Sequence, residues 1–487
     1  MIVNRVTLPP SNSLFNSKTL SDRAWSSQSL PQPPQWGETH FRGRVGEFLN
    51  APLALQIGYW SGQVLQASTS RPGPVILGQD SRPSSNLLAM SLSAGLAATG
   101  LEVWHLGLCP TPAVSHLTAA AGAVGGVMIS ADEGTPDQNG IKILGADGMP
   151  ISPSLHYQIE AGVRGKGDLL GCNRLDSYRW GRQYHRPEWL GHYRQFLQDS
   201  RPPTDLCGLR IVLDLAWGAA AHLVPALFES WGAQVISLHD RPDGDRINID
   251  CGSNSPDGLR RAVLESRADL GFAFSGDAGR VLAMDDRGEI VDGNHILYLW
   301  GTALKRRGQL PNRTVVSNPM ANLAFERAWV ASGGRLVRIR GNESHIHPEM
   351  LRLGAILGGD PSGSIFCRHY GGTGDSVLSA LHLAALTREA RMSLAQLKRE
   401  SFQLYPQVGQ TVSVKQCDHL LTWWECEPLW RAIERAETAM GNQGRVIVQV
   451  TANLEPQLRI TVEASRVNIA HYWLEYLLSA VRRELPS

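Results

Sequence analysis

Short apolar runs bounded by polar turns recur along most of the chain, and helical patterns fill the intervals between them. Pro74-Val75-Ile76-Leu77, Leu101-Glu102-Val103-Trp104, Arg210-Ile211-Val212-Leu213 and Gln234-Val235-Ile236-Ser237-Leu238 read as strands. Between them, "NLLAMSLSAGLAATG" and "AAHLVPALFESWG" carry apolar residues at helical spacing and close on Gly, a C-terminal stop signal. Strand, helix and strand in this rhythm predict α/β units with mostly parallel or mixed sheets. After about Leu394 the rhythm changes. A helix over Glu427 to Met440, two strands around a turn in "GRVIVQVTANLEPQLRITVEA" and a closing helix predict a smaller α+β domain.

Polar stretches set the boundaries. "QDSRPPTDLCG" precedes the strand at Arg210, and "DDRGEIVDGN" precedes the helical "HILYLWGTALKRRG". The expected organisation is a Ser/Pro-rich tail over 1–35, α/β domains over 36–200, 201–292 and 293–392, and an α+β domain over 393–487.

Composition narrows the partners. The formal charge is +1, so no global field draws the chain to nucleic acid or to an anionic membrane. No apolar run reaches the ~18 residues of a membrane span. The first 36 residues lack the apolar core of a signal peptide. Seven cysteines lie scattered without paired spacing, which argues against a disulfide framework or a zinc site and fits a reducing cytoplasm.

Four loops between strong elements are candidates for chemistry. "GGVMISADEGTPDQNGIKILGADG", Gly125 to Gly148, is strand, exposed polar loop and strand, the way a nucleophile is presented; yet its tip is Asp132-Glu133-Gly134-Thr135. "LGFAFSGDAGRVLAM" offers Asp277 flanked by Ser275 and Gly279; one carboxylate is too few for a divalent ion. "LGGDPSGSIF" holds Asp360 and Ser362, and "VTANLEPQLR" holds Glu455 and Arg459 without a Gly/Ser/Thr cradle for phosphate. Weaker candidates fall away. "GGTGDS" fails the dinucleotide pattern, and "SHIHPE" offers His345 and His347 as a ligand pair on a strand with no third ligand.

In order and spacing, the four loops resemble those of the phosphohexomutases, most closely the phosphoglucosamine mutase branch. The resemblance runs from about Trp36 to the C-terminus and rests on "FRGRVGEFLNAPLALQIGYWSGQVLQ", "VILGQDSR", "GLCPTPAV", "QNGIK", "INIDCGS", "VDGNHILYLWG", "ECEPL" and "TGDSVLSAL". It implies three α/β domains plus a C-terminal α+β domain around a central cleft. It also implies a phosphoserine loop, a three-aspartate magnesium loop, a sugar loop and a phosphate loop.

The departures fall inside those loops. Asp132 stands at the phosphoserine position, followed by Glu133, Gly134 and Thr135. Ser275 and Gly279 replace two metal aspartates, while Asp277 and Arg280 stay. Asp360 and Ser364 replace the glutamate and histidine of the sugar loop, while Ser362 and Gly363 stay. Ala452, Asn453 and Leu454 stand in the phosphate loop, ahead of Glu455, Pro456 and Arg459. The opening motif has become Gly37-Glu38-Thr39-His40-Phe41-Arg42-Gly43.

The resemblance carries catalytic positions onto Asp132, Lys142 and Arg42, substrate contacts onto Asp360, Ser362 and Arg459, and a metal remnant onto Asp277 beside Arg280. Asp132 holds negative charge but no phosphoryl group, and a thinned carboxylate set weakens magnesium. The expectation is therefore a mutase-like protein that binds a sugar phosphate, or a partner such as a second copy or an active mutase, without turnover. The alternative is an active mutase interconverting glucosamine 6-phosphate and glucosamine 1-phosphate through Asp132 or Ser130. No cofactor is expected: the resemblance implies magnesium, but its site is depleted here.

Overall fold

The computed structural model describes residues 40–69, 71–166, 180–200, 202, 204–339, 343–371, 373–413, 426–452 and 456–484. The N-terminal tail, the first three residues of the opening motif and residues 453–455 of the phosphate loop lie outside them.

Three α/β sheets and one antiparallel sheet follow one another along the chain. The first runs β1-β5-β4-β2-β3-β6, from His40–Arg44 (β1), Val75–Gln79 (β2), Val103–Leu108 (β3), Gly125–Ile129 (β4), Gln138–Leu144 (β5) and Gln183–His185 (β6). The second runs β11-β10-β9-β7-β8, from Arg210–Asp214 (β7), Gln234–Leu238 (β8), Leu270–Phe274 (β9), Val281–Asp285 (β10) and Ile290–Val291 (β11). The third runs β13-β12-β14-β15, from Thr314–Ser317 (β12), Arg335–Arg338 (β13), Leu357–Gly359 (β14) and Ile365–Cys367 (β15). The last orders Gln407–Ser413 (β16), Gly444–Ala452 (β17) and Pro456–Ala464 (β18) as β16-β18-β17.

The first three sheets repeat one plan. Parallel strands form the centre, and one antiparallel hairpin closes the series: β4–β5, β9–β10 and β14–β15. The central strands β4 and β9 are buried at every position, as strands covered on both faces must be. The first three loops singled out in the sequence are the turns of three hairpins, and β17 and β18, which flank the fourth, pair antiparallel.

Helices cover the sheets, and several are started by side-chain caps. Asn50 accepts from Leu53 N at 2.9 Å to begin the helix Ala51–Ser68. That helix crosses Pro83–Ala98 closely enough that a Cβ on Gly58 would lie 2.1 Å from Leu92 O, and one on Gly95 2.1 Å from Leu55 O. Two glycines thus allow backbone to touch backbone beneath the first sheet.

Some expectations shift. His345 and His347 lie in a 3-10 turn and the helix Ile346–Leu353, not on a strand, because Ile346 and Met350 supply an apolar helical face. Leu394 is fully buried in a core shared with Ile296 and Trp300, and its helix Leu394–Ser401 packs on Gly293–Arg306, so the third domain's packing continues past 393. Among the described residues, no helix is long and apolar enough to cross a membrane.

Candidate functional site: three hairpin turns held together by ion pairs

The turns of the first three hairpins meet. Each reverses through one left-handed residue: Asp132 (φ 51°), Ala278 (φ 54°) and Gly363 (φ 93°). Asp132 and Ala278 carry side chains there, a conformation that costs about 1 kcal/mol or more and needs fixed partners.

For the first turn those partners are buried beneath it. Asp80, at the end of β2, forms an ion pair with Arg82, and both side chains are fully buried. Ser130 Oγ donates to Asp80 Oδ2 at 2.6 Å and accepts from Asp132 N at 3.0 Å. Arg82 also donates to the carbonyls of Gly134 and Thr135. Ser130 is therefore a buried hydroxyl turned inward, committed to holding the turn, which removes it as one of the two groups through which the alternative reading could run and leaves Asp132.

The second domain completes the frame. Asn248 Nδ2 donates to Asp132 O at 2.8 Å and Gly134 O at 3.0 Å, while its Oδ1 accepts from Gly276 N at 2.9 Å. One amide side chain thus clasps the first and second turns. Its loop is fixed in turn by Asp214, which accepts from Gly252 N at 2.9 Å and lies 2.8 Å from the His239 ring.

Charge fills the space between the turns. Lys142, on β5, pairs through Nζ with Asp132 Oδ1 and lies 3.5 Å from Asp277 Oδ2. Arg280 Nη1 donates to Glu133 Oε2 at 2.6 Å, and Ser253 Oγ donates to Glu133 Oε1 at 2.9 Å. Burial by itself would raise the Asp132 carboxyl; the charges of Lys142, Arg280 and His40 outweigh it and hold the group well below the usual carboxylate range. Arg42 lies against the same turn, donating to Gln138 Oε1 at 3.1 Å.

Magnesium does not fit these residues. Asp277 is the one carboxylate of the second turn, and it is fully buried. Its Oδ1 accepts from Ser275 Oγ at 2.8 Å and Gly279 N at 3.0 Å, and its Oδ2 accepts from Thr111 Oγ1 beside the Lys142 ammonium. Magnesium requires near-octahedral oxygen ligation. Here the oxygens hold the turn, and a cation already lies alongside. At the metal remnant expected on Asp277 beside Arg280, the cation facing the carboxylate is Lys142.

The third turn joins the second through Val281 N to Gly363 O at 3.2 Å, and Ser376 Oγ donates to Ala278 O. A Cβ on Gly363 would lie 1.9 Å from Val281 O, so contact at this point requires glycine. Asp360, expected to meet substrate, commits Oδ1 to its own turn, accepting from Ser362 N at 3.0 Å, Ser362 Oγ at 2.7 Å and Ser364 N at 3.2 Å. Arg459 stands exposed on β18, beside Thr411 of β16 and Gln449 of β17 in register.

Sequence reasoning missed Asp80, Arg82, Thr111, Asn248 and Ser253 as parts of the site. All five lie in stretches that carried the resemblance, "VILGQDSR", "GLCPTPAV" and "INIDCGS". For Asp80 and Arg82 the signal was polar residues placed directly after an apolar strand; Asn248 and Ser253 follow no strand closely, and Thr111 opens a helix.

The described hairpins and the order of the sheets define the class. The chain belongs to the phosphoglucomutase/phosphomannomutase family: models of its α/β/α domains I, II and III match residues 34–168, 191–288 and 292–405. Within it, the chain is 48% identical over 472 residues to a phosphoglucosamine mutase of Trichodesmium erythraeum, spanning 97% of this chain and 96% of that one. It is 51% identical over 457 residues to a phosphoglucosamine mutase of Nostoc punctiforme, spanning 94% and 92%. The fold is shared with a phosphoglucomutase/phosphomannomutase family protein of Burkholderia thailandensis, at TM-score 0.74 and 19% identity over 93% of this chain and 98% of that one. It is also shared with an N-acetylphosphoglucosamine mutase of Aspergillus fumigatus, at TM-score 0.64 and 16% identity over 96% and 98%.

Proposed function

We propose that this chain acts in the phosphoglucosamine mutase class and takes a hexosamine phosphate in the cleft between its hairpin turns. The observation that carries the reading is near full-length identity of about half to relatives bearing that name. The gathering of Lys142, Arg280 and Arg42 at the turns supplies cations suited to a phosphate. The relatives' name supports the fuller reading, interconversion of glucosamine 6-phosphate and glucosamine 1-phosphate.

A second reading, binding without turnover, is favoured by a specific observation. Position 132 holds a carboxylate paired with Lys142, and the nearby Ser130 hydroxyl is committed to Asp80. Neither offers a free hydroxyl to carry a phosphoryl group.

A coupled assay of glucosamine 6-phosphate conversion, with a hexose bisphosphate activator and an active mutase as control, separates the two. Turnover near the control supports the mutase reading. Saturable binding by calorimetry with no turnover supports the second. A cooperatively folding protein that neither binds nor converts the sugar phosphate overturns both.

A further inference from the structure

We propose that Lys142 is the resident cation of this cleft, so that its two facing turns are joined without a divalent metal. Asp132 belongs to the β4–β5 turn of the first domain and Asp277 to the β9–β10 turn of the second. Each is held from both domains: the Asp132 backbone through Ser130 and Asn248, the Asp277 carboxylate through Ser275, Gly279 and Thr111. Two fixed carboxylates facing each other across a domain boundary repel unless a positive charge lies between them. Lys142 Nζ is that charge, paired with Asp132 and 3.5 Å from Asp277 Oδ2, with its side chain about three-quarters buried.

An ammonium and a divalent ion cannot share this place. A magnesium ion touching both carboxylates would lie about 2 Å from their oxygens. That puts it against Nζ, where two like charges meet in a poorly solvated site. The positions that would supply further anionic ligands are Ser275 and Gly279. The second cross-domain pair, Arg280 with Glu133, works the same way and also needs no metal. Where the proposed function holds, recognition of the sugar phosphate is equally metal-independent. Metal-independent recognition rests on the proposed function; the cation assignment does not.

The experiment measures thermal melting and manganese binding on the full chain, with Mn²⁺ read by electron paramagnetic resonance as a magnesium probe. Wild type is expected to melt at the same temperature in excess magnesium and in EDTA, and to show no bound Mn²⁺. Lys142→Met is expected to melt lower in EDTA, to regain part of the loss with magnesium, and to bind Mn²⁺ that a further Asp277→Asn change abolishes. Stoichiometric Mn²⁺ on the wild type that Asp277→Asn removes, or a magnesium-dependent rise in its melting temperature, overturns the proposal. The wild-type arm decides the question even where Lys142→Met fails to fold. In calorimetry with glucosamine 6-phosphate, affinities in EDTA and in magnesium should agree within about twofold, and a loss of about tenfold in EDTA overturns metal-independent recognition. Absence of binding in both buffers counts against the functional reading, while the melts still judge the cation assignment.

Discussion

At the scale of single residues, Asp132 combines two demands that usually exclude each other. It adopts a left-handed backbone and presents a mostly buried carboxylate to Lys142. Asn tolerates that backbone, so Asp132→Asn isolates the charge from the conformation. It leaves the ammonium with Asp277 alone, and urea unfolding at pH 7 is expected to show a loss of about 1–3 kcal/mol. The pH dependence has a defined sign. The folded carboxyl is depressed below its ordinary value of 3.8, so its stabilisation is complete above about pH 4 and lost only as pH falls below it. The difference between wild type and Asp132→Asn is therefore expected to be flat from pH 5 to 8 and to shrink in stronger acid. That Asp132, Asp277 and Arg280 sit on turns between paired strands was legible, through the resemblance of their loops to those of the family. Arg82 and Asn248 were not, because their work is done on residues far along the chain: Arg82 on Gly134, Asn248 on Asp132.

At the scale of elements, the start of helix Ser376–Ala390 couples capping to titration. Asp375 Oδ1 accepts from Leu378 N at 2.9 Å, and its Oδ2 accepts from Tyr193 Oη at 2.8 Å, tying this helix to Leu190–Asp199. Burial pushes its carboxyl up to about 6, against an ordinary 3.8. A raised carboxyl binds its proton more tightly in the folded state, so its contribution falls as pH rises from about 4 to about 6, by roughly 3 kcal/mol. Asp375→Asn keeps a capping oxygen and cannot ionise. Its urea stability, relative to wild type, is expected to improve progressively across that window and to level off above it. The hairpins themselves were legible, since apolar runs on both sides of a short polar turn are what an antiparallel pair requires. The His345 and His347 segment was misread as a strand because a short run leaves helical and extended spacing hard to separate.

At the scale of the whole molecule, the antiparallel domain is fastened by one buried carboxylate. Glu463, fully buried on β18, accepts from Leu323 N at 2.6 Å and from Arg445 Nε at 2.6 Å. Arg445 also donates to Ala321 O at 2.6 Å, and Asn322 exchanges bonds with Tyr405 at 3.0 and 3.1 Å. Glu463→Ala strands the Arg445 charge at this junction, and breaking such a pair costs about 3–5 kcal/mol. Calorimetric scanning is expected to show the last domain melting ahead of the rest, as a separate low-temperature transition. The block count was readable from the sequence; this fastening was not, because Leu323 and Glu463 are distant in the chain and meet only in the fold.

The pair between Glu133 and Arg280 has a consequence for dose. A phosphate that is to use Arg280 must first evict a carboxylate that never diffuses away. A tethered rival of this kind acts at an effective concentration in the millimolar range. The observed affinity is then the intrinsic one scaled by the small fraction of time the arginine is released. On the proposed function, such a cleft would fill only when its sugar phosphate is abundant.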